Sequence, residues 1–97
     1  MDKSKFLSAF TVPSEEYSLP NGESVTLKGL TVGQRDKWLK AYEDNPSRGP
    51  VMLVVLGCDI LSEDDEKDIT DTLPSSEVDK MAEIVMKLSG MGEEKKA

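Results

Sequence analysis

Apolar residues recur along this chain with more than one period, and each period predicts a different element. Phe6, Leu7 and Phe10 stand at i, i+1 and i+4, which fits either a short helix or a mobile arm over residues 1–12, closed off by Pro13. From Tyr17 the period drops to two. Tyr17 and Leu19 alternate with polar residues, "PNGE" follows, and Val25 and Leu27 resume the alternation. Asn21-Gly22 predicts a two-residue hairpin turn with both positions at positive φ. A lone two-stranded ribbon is marginal in water, so it must pack on helices or pair with another chain. In "LTVGQRDKWLKAYED" the helical period returns. Thr31 precedes Gln34 by three residues as in a capping box, and Trp38 and Tyr42 share a face with Leu39 and Ala41 beside it. This predicts a helix over 32–43, followed by a loop at "DNPSRGP".

"PVMLVVLGCDIL" has no polar interruption before Asp59. It falls short of the roughly 20 apolar residues that span a bilayer. Its valines and Gly57 suit a strand, whereas its unbroken length through Leu61 and Pro50 at the start suit a buried helix; the length favours the helix. An acidic run follows at once. Ser62 as N-cap and Glu63, Asp64 and Asp65 in a first turn predict a solvated helix over 63–72, with Glu63 facing Lys67, Ile69 and Leu73 turned inward, and Pro74 as the stop. The last element is the most regular. Ser76 and Asp79 read as its cap, Val78, Met81, Ala82, Val85 and Leu88 form one stripe, and Gly90 stands where a helix C′ glycine belongs. Residues 93–97 read as a disordered tail. The sum is one α+β domain over 1–92, mostly helical, with one N-terminal β-hairpin packed against three to four helices.

Charge sharpens this picture. Twelve basic residues face nineteen acidic ones, for a net charge of −7. Residues 1–58 are balanced; residues 59–72 hold seven acids against Lys67 alone. Such a field repels nucleic acid and favours a basic protein partner. The run does not make a calcium loop. Counted from Asp59, the third position is Leu61 and the sixth Asp64; counted from Asp64, the sixth is Ile69 and the twelfth Ser75. No metal or cofactor is expected.

Histidine is absent, which removes the commonest general base, and no glycine pattern forms a phosphate loop. Cys58, the only cysteine, sits inside the apolar run as a small hydrophobe and cannot form an internal disulfide, which suits a reducing compartment. The N-terminus lacks the charged-then-apolar pattern of a secretion signal. The chain therefore reads as non-enzymatic. The candidate partner-binding residues are Trp38 and Tyr42 on their helix, Asp64, Asp65 and Glu66 on the acidic face, and Met86 and Met91 off the buried stripe of the last helix. For Trp38 the competing reading is plain core; for the carboxylates it is a solvated helix start. Flexible thioethers suit adaptable surfaces, so Met86 and Met91, if exposed, would mark a docking edge. The strand edge around Val25–Leu30 offers a route to self-association.

The order of these parts, "YSLPNGESVTLKGLTVGQRDKW", then "VMLVVLGCDIL", then "SEDDEKDITDTLPSSEVDKMAEIVMKLSG", resembles the tail assembly chaperones of long-tailed, lambda-like bacteriophages over about residues 6–91. The resemblance lies in Leu30-Thr31 before the helix, Arg35-Asp36 with Trp38, the apolar-to-acidic handover, and the closing "LSG". Where the family has an Asp-Gly turn after the apolar stretch, this chain has Asp59-Ile60-Leu61-Ser62. The resemblance implies a protein of the infected bacterium's cytoplasm, absent from the finished virion. Such a protein would hold tape-measure and tail tube proteins soluble before the tail polymerises. It also implies a longer product made by programmed frameshifting near the codons for "GEEKKA". The rival classes are an acidic DNA mimic and a generic adaptor or inhibitor.

Overall fold

The computed structural model describes residues 2–91; Met1, and the tail expected to be disordered at 93–97, lie outside the described residues. The elements run α1 (Lys3–Ser8), β1 (Ser14–Ser18), β2 (Ser24–Lys28), α2 (Val32–Asp44), α3 (Gly49–Gly57), α4 (Glu66–Thr72) and α5 (Ser75–Leu88). One-turn 3-10 helices stand at Pro46–Arg48 and Glu63–Asp65. The class is the expected one: an α+β domain in which a single antiparallel hairpin packs on a cluster of helices.

The apolar run is a helix, α3, and it is the hub. Met52, Leu53, Val54 and Val55 are all buried, as a helix apolar on every side must be. α5 lays Val78, Met81, Ala82 and Val85 against it, α2 covers another side, and Leu27 of β2 reaches the same core. Leu27, Val54, Val55 and Val85 are almost wholly removed from water; each such side chain contributes about 1.5–3 kcal/mol as an upper estimate. The predicted inner stripe of α5 holds through Val85, while Leu88 is only half-buried.

Several local expectations need correction. The hairpin does not turn on two residues. Ser18 pairs with Ser24, Leu19 lies beyond β1, and its N–H donates to the Glu23 carbonyl (2.7 Å). The loop is thus Pro20-Asn21-Gly22, with the Gly22 N–H donating to the Leu19 carbonyl (3.0 Å) and only Gly22 at positive φ (89°). Asn21 serves instead through its side chain, which accepts from the Glu23 N–H. A two-residue turn on Asn21-Gly22 would make Pro20 and Glu23 the closing pair and call for an N–H that proline lacks. In the three-residue form Leu19 supplies that N–H and Pro20 sits at the second turn position, where its fixed negative φ fits.

α3 stops at Gly57 rather than running on to Leu61. A Cβ at Gly57 would lie 2.7 Å from Val85 Cγ2 and 2.9 Å from the Lys28 carbonyl oxygen, so a bare glycine lets α3 end against α5 and β2 together. Cys58 then turns extended and bridges Leu27, and the Asp59 N–H donates to the Thr26 carbonyl (3.1 Å). This crossing covers the outer edge of β2, so the Val25–Leu30 edge is not the free one; the edge without a strand partner among the described residues belongs to β1. α5 begins at Ser75 with Pro74 before it and no side-chain cap, so Ser76 and Asp79 lie within the helix rather than capping it. Its far end is as expected: Gly90 (φ 74°) closes the helix, with the Gly90 N–H on the Lys87 carbonyl and the Met91 N–H on the Met86 carbonyl.

At the N-terminus the helical alternative is the one adopted. α1 is a single short helix capped by Asp2, and it buries none of its residues. No described helix is long and apolar enough to cross a membrane.

Candidate functional site

α2 is held where its sequence demands. The Thr31 N–H donates to Gln34 Oε1 (3.0 Å) and the Gln34 N–H to Thr31 Oγ1 (3.2 Å), the reciprocal capping box expected from the spacing. Gln34 Nε2 also donates to the Leu56 carbonyl (3.4 Å), tying the start of α2 to the end of α3. One and two turns further on, Trp38 and Tyr42 stack with ring centroids 5.4 Å apart and planes 25° from parallel. The Trp38 indole N–H donates to the Gly49 carbonyl (3.1 Å), which fixes the ring over the first turn of α3. Trp38 is thus half-buried, neither fully core nor free, and Tyr42 is 43% exposed.

Opposite these rings runs α5. Between the two helices, floored by the first turn of α3, lies an open groove of about 360 Å³. Leu53 and Ala82 form its floor, Trp38, Tyr42 and Met86 its apolar walls, and Asp79, Lys80 and Glu83 its rim. Lys80 leans toward Glu77 (3.6 Å), whereas Asp79 and Glu83 make no ion pair among the described residues, so the mouth is acidic. The geometry suits an apolar stripe with basic flanks.

Of the residues singled out from the sequence, the fold brings Trp38, Tyr42 and Met86 together here and sets the others apart. Met91 is partly buried against the core beyond the end of α5, and Met86 is partly buried too, so the pair is not an exposed docking edge. The acidic run is largely occupied by its own neighbours. The helix expected over 63–72 spans those residues with Ser62 at its N-cap; its first turn, Glu63–Asp65, is 3-10 before α4 begins, and the Asp65 carboxylate accepts from the Ser62 N–H (2.9 Å). Glu63 pairs with Lys37 (2.6 Å), not with Lys67, which reaches Asp71 (3.0 Å). Glu66 receives a two-pronged bond from Arg48 (Nε 2.7 Å, Nη2 2.9 Å) that joins the turn before α3 to α4. Those bonds hold the Glu66 carboxyl below the usual carboxylate range and raise Arg48 further. Asp64 is exposed and makes no ion pair among the described residues.

Sequence reasoning missed Leu53, Asp79 and Glu83 as lining. A signal was present: 79, 83 and 86 follow i, i+4, i+7 beside the buried stripe, giving α5 a second, mixed face. Cys58 is buried, and that burial pushes its thiol pKa up. Among the described residues no group of three or more Cys, Asp or Glu side chains is placed to hold a metal. Comparison with known protein families, with curated proteins and with solved structures returns no match.

Proposed function

We propose that this chain is a non-enzymatic assembly chaperone of the phage-tail kind its sequence resembles, acting in the cytoplasm of an infected bacterium and absent from the finished virion. Its clients are the tape-measure and tail tube proteins, kept soluble until the tail polymerises. The observation that carries the reading is the groove of Trp38, Tyr42, Leu53 and Met86, an apolar trough between two helices on a small, net-acidic domain. A long helical client offers apolar residues at i, i+3, i+4 and i+7, the form such a trough takes up. The surrounding net charge of −7 keeps the loaded complex dispersed. An acidic decoy of DNA would need its carboxylates free and spread over one face; here Glu63, Glu66 and Asp71 are consumed by Lys37, Arg48 and Lys67.

The test is co-expression with a fragment of the tape-measure protein encoded beside it. The soluble yield of the fragment rises with this chain and falls back with Met86→Asp, which places a charge on the groove wall. No gain in solubility, together with inhibition of a DNA-binding enzyme by the purified chain, would favour the decoy instead. On this proposal the gene also lies between those for the tube and tape-measure proteins.

A further inference from the structure

We propose that, in the absence of a client, the α1 arm of one copy seats in the Trp38–Met86 groove of a second copy, making an arm-exchanged dimer. The arm is built to be covered. Phe6, Leu7 and Phe10 are 53%, 61% and 68% exposed, and the two phenyl rings meet edge to face at 5.3 Å to form a single apolar knob. Contiguous apolar surface of this kind marks a contact waiting to be made. Within one chain the arm stands clear: α1 buries no residue and contributes none to the groove.

Charge and area favour a second copy as the occupant. Lys3 and Lys5 flank the knob and make no ion pair among the described residues; Asp79 and Glu83, on the groove rim, make none either. Four unused charges of opposite sign on two apolar surfaces form a complementary pair. Phenylalanines bury about 150–250 Å² apiece, so two exchanged arms with Leu7 included, counted on both sides, cover roughly 1,300 Å². That lies within the range of stable interfaces, about 1,200–2,000 Å². The exchange is isologous, each copy giving an arm and receiving one, so it closes at two.

The test uses the full chain alone, so it stands or falls apart from the client reading. Sedimentation velocity from micromolar to millimolar concentration is paired with the emission of Trp38, the only tryptophan. A dimer forms, and Trp38 emission moves to shorter wavelength over the same concentration range. Phe6→Ser with Phe10→Ser weakens the dimer at least about tenfold; both side chains are exposed, so circular dichroism stays unchanged. Asp79→Lys with Glu83→Lys also weakens it, and adding Lys3→Glu with Lys5→Glu to that variant restores it. A monomer throughout, a dimer indifferent to the arm, or a Trp38 shift independent of concentration (a chain's own arm in its own groove) overturns the proposal.

Discussion

A methyl group added at Gly57 would stand 2.7 Å from Val85 Cγ2, closer than two carbon atoms approach without displacement, and backbone lies on its other side at the Lys28 carbonyl. Gly57→Ala is therefore expected to lower unfolding free energy by about 1–3 kcal/mol, the usual cost of overpacking, in urea denaturation. Cys58, the next residue, is 6% exposed, and its thiol is pushed up first by burial. Its labelling by a disulfide reagent at neutral pH should track unfolding; rapid labelling of the native protein would contradict its place in the core. Glu66 supplies a pH test. Arg48 holds its folded-state carboxyl below the ordinary value, first through the side-chain hydrogen bond and then through charge, against desolvation. The stabilisation is thus full above the ordinary glutamate range and is lost as pH falls through the depressed folded value. Thermal melts of Glu66→Gln should lie below wild type at neutral pH, with the gap closing in acid.

α5 illustrates what a local rule can and cannot deliver. Its buried stripe and its glycine stop follow from helical spacing and from the left-handed conformation that ends a helix, and both were legible before any coordinates. Gly90→Ala forces a Cβ into that conformation (φ 74°) and is expected to cost about 1–2 kcal/mol, read from the chemical denaturation midpoint. The capping box of α2 was equally legible, since Thr31 and Gln34 satisfy each other at a fixed spacing of three residues. The errors share one cause. α3 ends at Gly57 because β2 and α5 meet it there, and nothing within the apolar run carries that information. Glu63 is claimed by Lys37, distant in sequence, ahead of Lys67, the helical neighbour that spacing offers, and Glu66 by Arg48, equally out of reach of a local rule. Of the groove, the Trp38–Tyr42 pair and Met86 were visible individually; their convergence depends on how α2 and α5 cross the start of α3.

At the level of the assembled domain, the hairpin and helices present distinct faces: the β1 edge, the exposed knob of α1, the acidic turn tied to Lys37 and Arg48, and the groove. The groove combines a concave shape with an apolar floor, two aromatic rings and uncommitted rim charge. On the proposed function, a client bound there occupies the same surface that a second copy's arm would cover, so client and arm would compete. The proposal about the groove is tested most directly by nitrogen-15 amide and indole shift mapping during titration with the tape-measure fragment. The account predicts the largest perturbations at the Trp38 indole, Tyr42, Leu53 and Asp79–Met86, with Asp64 and the β1 edge nearly unmoved. Perturbations confined to residues 63–72 or to Ser14–Ser18, with the Trp38 indole unchanged, would contradict it.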